Sequence, residues 1–256
     1  MAVRVLQITD PHLFANAAGS LRGAVTDESL RRVLRHVRAS GWPADLVAMT
    51  GDIIQDDTAE AYERFRGHFE PLGLPVHCVP GNHDVRALMR AALADPPFYY
   101  CGTHEQDGWL IAGIDSCMEG SAGGRVAADE ADRLMALLAS TAARHVLVCL
   151  HHPPLPLGSR WLDRVGLDDS DAFLRRIAAD GKVRGCLFGH VHQAFEGAYG
   201  DMRIIGTPST CRQFLPGSDD FAVDDRPPAY RRVALGADGA ITTELVWVPA
   251  ETGEQP

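Results

Sequence analysis

The chain has 256 residues, a formal net charge of −10 at pH 7 and 46% hydrophobic residues. This length suffices for one large α/β domain with a sizeable core, and the composition is that of a soluble globular protein rather than a disordered or membrane-spanning one. Proteins that follow a phosphate backbone usually carry a basic excess, so the acidic balance disfavours extended nucleic acid as a partner.

The N-terminal residues enter a strand directly, without the apolar core or cleavage site of a signal peptide. This start predicts a cytoplasmic protein with no membrane partner. The cysteines are scattered and form no C-x-x-C pair, so we expect reduced, buried thiols rather than a disulfide framework or a zinc finger. They are Cys78, Cys101, Cys117, Cys149, Cys186 and Cys211.

The first strand is predicted at residues 3–8, and Asp10 and His12 follow its carboxyl end. The two side chains are two positions apart, so in an extended segment both could point to the same side and clamp a metal. Alone this D-x-H pair is weak evidence, because Asp-Pro is also a common turn. Apolar residues at helical spacing then predict a helix with Thr26 as its N-cap.

The second predicted strand, residues 45–49, leads into Gly51 and Asp52. Gly51 predicts a tight exit that leaves the Asp52 carboxylate at the carboxyl edge of the sheet. One carboxylate has two oxygens and can bridge two metal ions. The dipeptide alone more often means an ordinary turn, so the rest of the chain decides between the two interpretations. A helix from Thr58 to Phe69 is expected next.

The third predicted strand, residues 74–79, ends in a glycine followed by Asn82, His83 and Asp84. The amide oxygen of Asn82 is a neutral metal ligand, and His83 beside it could face a substrate. Asp84 has a simpler explanation as the N-cap of the short helix that follows. Polar residues after a strand and a glycine are typical of sites in α/β proteins.

Two later strands each end in a pair of histidines. We favour His151, which is nearer its strand, as the metal ligand, while His152 could support it or line the pocket. The second pair, His190 and His192, follows a glycine exit and could reach the two metals of a pair. An H-x-H pattern is weak evidence alone and better evidence after a strand and a glycine.

The remaining elements are predicted from apolar spacing and turn residues. They are a strand at 109–115, a helix at 128–140, a loop at 155–168, a helix capped by Ser170 and short strands at 195–199, 202–207, 229–236 and 240–248. The last strands suggest an antiparallel portion that closes the domain. We expect one domain over residues 1–250 and a frayed tail at 251–256.

Taken together, these motifs resemble the calcineurin-like metallophosphoesterase family. The matching motifs occur in the family's order and are Asp10-x-His12, Gly51-Asp52, Gly81-Asn82-His83-Asp84, His151 and Gly189-His190-x-His192. More narrowly, the chain is similar to the bacterial class III 3',5'-cyclic-nucleotide phosphodiesterases. The segments that carry this closer similarity are Leu6 to Asp10, Leu155 to Asp163, Thr207 to Cys211 and Gln213-Phe214. The resemblance extends from residue 3 to about residue 248.

The resemblance implies an α/β fold, a four-layer α/β/β/α sandwich of two mixed sheets flanked by helices. It also implies two metal sites that share one carboxylate. The implied ligands of the first are Asp10, His12, Asp52 and His192, and those of the second are Asp52, Asn82, His151 and His190. The implied substrate contacts are Asn82, His83, His192 and His12. Mixed nitrogen and oxygen ligation suits iron, manganese, zinc or cobalt better than magnesium or calcium alone. Of these we expect iron and manganese, with zinc or cobalt as alternatives.

The implied reaction is the hydrolysis of 3',5'-cyclic AMP to 5'-AMP by in-line attack of a metal-activated water. His83 would stabilise the developing charge or protonate the leaving 3'-oxygen, and Asp84 would orient His83. A homodimer is expected by analogy with the family.

The motifs define the reaction class better than the substrate, so several alternatives stay open. A preference for cyclic GMP, a glycerophosphodiester, a 2',3'-cyclic nucleotide or a phosphomonoester as the substrate, and a non-catalytic metal-binding protein, are all compatible with the sequence. Ser209, Thr210 and Arg212 could each contact substrate or serve only in a surface loop or in packing, and Trp161 could stack on the base of the substrate or serve only in those same structural roles.

Overall fold

The computed structural model describes residues 2–250, so the predicted tail at 251–256 lies outside the described residues. Its strands are β1 (Val3–Ile8), β2 (Ser20–Leu21), β3 (Ala24–Val25), β4 (Leu46–Met49), β5 (Val76–Cys78), β6 (Phe98–Tyr100), β7 (Thr103–Gln106), β8 (Trp109–Gly113), β9 (His145–Cys149), β10 (Val183–Phe188), β11 (Phe195–Tyr199), β12 (Met202–Gly206), β13 (Gln213–Phe214), β14 (Val223–Asp224), β15 (Ala229–Leu235) and β16 (Ile241–Trp247). Its α-helices are α1 (Thr26–Ser40), α2 (Ala59–Phe69), α3 (Arg86–Ala92), α4 (Ala128–Ser140), α5 (Arg160–Asp163) and α6 (Ser170–Ala178).

Two six-stranded mixed sheets form the centre of the fold, with orders β16-β15-β1-β4-β5-β6 and β11-β12-β10-β9-β8-β7. Strands β1, β4, β5 and β6 run parallel to one another, as do β8, β9, β10 and β12. The remaining pairings in these sheets are antiparallel. Parallel neighbours bring their carboxyl ends to one edge of the sheet, where α/β proteins place their sites.

Period-2 alternation along the strands distributes apolar side chains over three core layers. In β1, Val5 faces the opposite sheet whereas Leu6 packs with helices α1, α2 and α3. In β9, Leu147 faces the opposite sheet and Val148 packs with α4 and α6. One core layer therefore lies between the sheets and one lies under each set of helices. The predicted four-layer sandwich of two mixed sheets is confirmed.

A buried polar bridge joins the two sheets beside the apolar middle layer. The amide of Gln7 in β1 donates to the carbonyl oxygen of Phe188 in β10 at 3.0 Å. Thr207 donates in turn to the Gln7 side-chain oxygen at 2.6 Å, and Arg231 donates to Thr207 at 3.1 Å. Because each of these groups has a partner, the bridge specifies how the sheets align without leaving a buried polar group unsatisfied.

Helix starts were predicted with mixed success. The helix predicted from Thr58 to Phe69 is confirmed as α2. Thr58 is its N-cap, a role that was not predicted, because its hydroxyl accepts from the backbone N–H of Ala61 at 3.3 Å. The N-cap role of Thr26 is wrong, since Thr26 is the first residue of α1. Ser170 is likewise the first residue of α6 rather than its cap. The predicted loop at 155–168 also contains the single turn of α5.

The six cysteines are unpaired within the described residues. Four of them are buried, as predicted, whereas Cys101 and Cys117 are only half-buried. Within residues 2–250, no helix combines the length and the apolar character that a membrane span requires.

Candidate metal centre

All seven predicted metal ligands lie in loops at the carboxyl ends of β1, β4, β5, β9 and β10, where the two sheets meet. Backbone hydrogen bonds hold these loops against one another. The N–H of His12 donates to the carbonyl of Asp52 at 3.0 Å, and the N–H of Gly189 donates to the carbonyl of His151 at 3.1 Å. The site is therefore assembled from both sheets rather than from one segment.

The first cluster comprises Asp10, His12, Asp52 and His192, all buried, whose candidate ligand atoms lie within 4.8 Å of one another. The Nε2 atoms of His12 and His192 are 3.1 Å apart, and Nε2 of His192 is 3.4 Å from Oδ1 of Asp10. Oδ2 of Asp52 is 3.7 Å from Nε2 of His12. Four candidate ligand atoms thus surround a space that one metal ion could occupy.

The second cluster surrounds Nε2 of His151. This atom is 3.2 Å from the amide oxygen of Asn82, 3.2 Å from Nδ1 of His190 and 3.4 Å from Oδ1 of Asp52. Asp52 consequently presents Oδ2 to the first cluster and Oδ1 to the second. That is the arrangement a carboxylate needs to bridge two cations.

Ring tautomers show that the two clusters fit cations. Nδ1 of His151 donates to the carbonyl oxygen of Thr50 at 2.8 Å, and Nδ1 of His192 donates to that of Arg212 at 2.6 Å. A carbonyl oxygen only accepts, so in the neutral rings both Nε2 atoms carry lone pairs. These lone pairs face carboxylate and amide oxygens, which repel them. A bound cation satisfies every member of such a set, and the carbonyls orient the rings for it.

The pKa values follow the same electrostatics. Burial disfavours a charged ring at His151, but the charge and hydrogen bond of Asp52 outweigh it and raise the pKa of His151 to about 9. Burial lowers the pKa of His12 to about 4 and that of His190 to about 3. Despite burial, the charge of His151 holds the pKa of Asp52 well below its usual range. Cation binding must therefore displace the proton on His151.

Five of the seven candidate ligands have backbone φ angles in the left-handed region, which few residues other than glycine adopt. They are Asp10 (51°), His12 (47°), Asp52 (51°), His190 (69°) and His192 (47°). The prediction that Asp10 and His12 share a side because their segment is extended is therefore wrong. Their side chains converge because each sharp turn directs one inward. Backbone strain of this kind is typical of functional sites.

Gly81 lets the Asn82 loop approach Asp52 more closely than any side chain would allow. A Cβ atom there would lie 2.1 Å from Oδ1 and 2.3 Å from the backbone nitrogen of Asp52. We expect Gly81→Ala to push the Asp52 carboxylate out of place, weaken metal binding and cost about 1–3 kcal/mol in the free energy of unfolding. Metal titration and chemical denaturation of the purified variant measure both effects.

Gly67→Ala in α2 provides the matched control for this prediction. A Cβ atom at Gly67 meets nothing within 4 Å, so the same substitution should stabilise the helix by about 0.5–1 kcal/mol and leave metal binding unchanged. Equal metal affinity in the Gly81→Ala and Gly67→Ala variants would contradict the close-approach argument.

His83 lies at the cleft beside the first cluster, with its ring 5.0 Å from that of His12. The side-chain amide of Gln55 donates to Nδ1 of His83 at 3.2 Å. The proton of the neutral ring therefore resides on Nε2. The backbone N–H of His83 donates to Oδ1 of Asp52 at 2.9 Å, which ties this residue to the bridging carboxylate.

Asp84 does not have the capping role that its sequence position suggested. Helix α3 begins at Arg86 with Val85 at its N-cap, so the capping role of Asp84 is wrong. Its carboxylate accepts from the backbone N–H of Gly81 at 2.9 Å and from the hydroxyl of Tyr62 at 2.9 Å. Gln55 rather than Asp84 contacts the His83 ring. Burial and the charge of Asp52 raise the pKa of Asp84 to about 7.

His152 lies behind the second cluster. Its Nδ1 atom is 2.9 Å from the hydroxyl of Ser116, and its ring is 4.8 Å from that of His190. Its candidate ligand atom also lies within 4.8 Å of those of His151 and His190. Of the two roles that the sequence left open for His152, support of the neighbouring histidines matches this position, and it does not line the cleft.

A cleft of about 300 Å³ opens over the two clusters. Its lining residues are His12, Leu21, Arg22, Asp52, Gln55, Asn82, His83, Ala122, Trp161, Leu162, Val165, His190, His192, Arg212, Phe214 and Phe221. Ser209 and Thr210 are instead buried against the first strand, where the hydroxyl of Ser209 donates to the carbonyl of Asp10 at 2.7 Å. Trp161 and Arg212 therefore stay in contact with the site, whereas Ser209 and Thr210 support it from behind.

Comparison with known proteins gives a consistent result. Residues 3–194 match the calcineurin-like phosphoesterase family. A 3',5'-cyclic adenosine monophosphate phosphodiesterase, CpdA, from Vibrio vulnificus is 38% identical over 95% of this chain and 89% of its own length. The Escherichia coli K12 protein of the same name is 37% identical over 99% and 92%. A dimetal phosphatase from Danio rerio shares the fold, with a TM-score of 0.65 at 15% identity over 96% of this chain and 99% of the other.

Proposed function

The chain belongs to the calcineurin-like phosphoesterase family, and from this we propose that it is a metal-dependent phosphodiesterase that hydrolyses 3',5'-cyclic AMP to 5'-AMP. The names and the extent of the Vibrio and Escherichia relatives support the substrate. The observation that carries the chemistry is the position of Asp52, whose two oxygens face two separate clusters of buried lone pairs.

We propose that each cluster holds one metal ion, with iron and manganese ahead of zinc and cobalt. The first ion would be held by Asp10, His12, Asp52 and His192, and the second by Asp52, Asn82, His151 and His190. Bound there, the ions would supply positive charge for the phosphoryl oxygens and acidify a water molecule. Because Asp10 and Asp52 are the only carboxylates in this set, the protein adds little negative charge around an anionic diester.

The chain's own residues position and protonate the substrate. Asn82, His12 and His192 line the cleft and contact the phosphodiester in this proposal. The Gln55 amide holds the proton of His83 on Nε2, which is the tautomer that donates to a leaving oxygen. Asp84 acts one step further back, because its hydrogen bonds to Gly81 and Tyr62 hold the loop that carries Asn82 and His83. A cytoplasmic location and a homodimeric state belong to this proposal by analogy with the family.

The proposed function is tested with metal-stripped protein reconstituted with Mn²⁺, Fe²⁺, Zn²⁺ or Co²⁺. The substrate panel contains 3',5'-cyclic AMP, 3',5'-cyclic GMP, 2',3'-cyclic AMP, a glycerophosphodiester and a phosphomonoester. We expect 3',5'-cyclic AMP to give the highest kcat/KM and 5'-AMP as the product. A higher kcat/KM for any other panel member would reassign the substrate. Tight metal binding without turnover of any would favour the non-catalytic alternative.

A further inference from the structure

An aromatic wall formed by Trp161, Phe214 and Phe221 borders the cleft on the side of the first metal cluster. Phe214 stacks face to face on His192, with ring centroids 4.2 Å apart and planes inclined by 5°. Trp161 and Phe221 each meet Phe214 edge-on, at 5.1 and 5.3 Å. Phe214 thus contacts a candidate metal ligand directly, and Trp161 and Phe221 lie one ring further from the metal centre.

Phe221 is placed in a way that packing alone does not explain. Its side chain is 42% exposed, whereas apolar side chains of this size are usually buried. The guanidinium of Arg22, on the turn between β2 and β3, lies 4.2 Å from the centre of its ring. An aromatic ring and a planar cation therefore face solvent together at the entrance of the cleft. Such a pair is suited to stack on a flat, π-rich ligand.

Two residues that line the cleft, Trp161 and Arg212, also carry polar groups that lack a partner. Nε1 of Trp161 and Nε of Arg212 are buried, and neither has a hydrogen-bond partner within residues 2–250. Both groups are donors only. Buried donors without partners are costly. The ring nitrogens of a purine are acceptors, and they would satisfy either donor once its side chain turned that donor toward the cleft. Flat apolar faces combined with edge donors match the two kinds of surface that a nucleobase presents.

We propose that the aromatic wall of Trp161, Phe214 and Phe221 is the nucleobase subsite, and that it holds the adenine ring while the phosphate lies over the metal centre. This inference rests on the proposed function for the orientation of the nucleotide. It goes further by assigning the residues that distinguish a nucleotide from a simple phosphodiester. Stacking on one aromatic side chain commonly contributes about tenfold in affinity.

The test compares binding of 5'-AMP and ribose 5-phosphate to Mn²⁺-loaded protein by calorimetry. The two ligands share sugar and phosphate, so the ratio of their Kd values isolates the base. In the wild type we expect 5'-AMP to bind more tightly. Phe221→Ala should reduce that ratio by about tenfold and leave the Kd of ribose 5-phosphate unchanged. Trp161→Phe keeps a ring but removes the N–H, and should reduce the ratio by a smaller factor.

Leu215→Ala is the matched control, because Leu215 is 44% exposed on the same hairpin and does not line the cleft. Its Kd ratio should equal that of the wild type. An unchanged ratio in Phe221→Ala, or an equal loss of affinity for both ligands, overturns the subsite. Turnover of 3',5'-cyclic AMP is measured separately. If the wild type does not turn over 3',5'-cyclic AMP but Phe221→Ala still reduces the ratio of the two Kd values, the proposed substrate is overturned and the subsite is supported.

Discussion

Asp52→Asn is expected to lower kcat for 3',5'-cyclic AMP by at least about 10³-fold, even at saturating Mn²⁺. An asparagine side chain keeps one oxygen but replaces the other with an NH₂ group, which is a donor and cannot bind a cation. Oδ1 and Oδ2 of Asp52 face different clusters, so one cluster must lose its shared ligand. Metal analysis should accordingly find fewer than two ions per chain in this variant.

Asp57→Asn is the control for this substitution. Asp57 is exposed and has a φ of 53°, close to the 51° of Asp52, so both variants place asparagine in the same backbone conformation. The control should keep both metal ions and full activity. Wild-type turnover in Asp52→Asn, or a full complement of tightly bound metal there, would remove Asp52 from the centre of the proposed mechanism.

The two central sheets and the convergence of the candidate ligands were predictable because both follow from local patterns. The strands that lead into the site, β1, β4, β5, β9 and β10, are short and mostly buried runs, and each candidate ligand occurs within five residues of the end of one of them. Carboxyl ends of parallel strands meet at one edge, so the order of the motifs was enough to bring Asp10, Asp52 and Asn82 together. The opposite sheet contributes His151, His190 and His192 by the same rule.

What could not be predicted depends on contacts between distant residues. The wall of Trp161, Phe214 and Phe221 joins α5 to the β13–β14 hairpin, and no spacing pattern links residues so far apart. The contact between Gln55 and His83 likewise could not be predicted from the sequence, because it joins two separate loops. The left-handed φ angles at Asp10 and His12 had only one signal, because Asp and His are among the residue types enriched in that region.

Short helices and strands were missed for a related reason. Strands β2 and β3 contain two residues each, and α5 is a single turn, so neither period-2 nor period-3.6 patterns can develop within them. Yet the turn between β2 and β3 carries Arg22, and α5 carries Trp161. The segments that surround the candidate nucleobase subsite are therefore those for which sequence periodicity carries the least information.

His83→Ala is expected to lower kcat by about 10²–10³-fold while leaving two metal ions bound. The side chain of His83 lies in the cleft, whereas its contact with Asp52 is made by its backbone N–H. Alanine therefore removes the proton donor without disturbing the candidate metal ligands. A substrate with a good leaving group, such as a 4-nitrophenyl phosphodiester, needs no protonation. Its turnover should fall much less than that of 3',5'-cyclic AMP.

His104→Ala is the matched control, because His104 is also half-buried, contacts Gln106 at 3.0 Å and the ring of His77 at 5.4 Å, and does not line the cleft. It should leave both substrates unaffected. Gln55→Leu tests the tautomer argument, since it removes the donor to Nδ1 of His83 without removing the ring. We expect a loss between those of the control and of His83→Ala, confined to kcat for the cyclic nucleotide. Equal losses with both substrates would assign His83 to charge stabilisation rather than to proton donation.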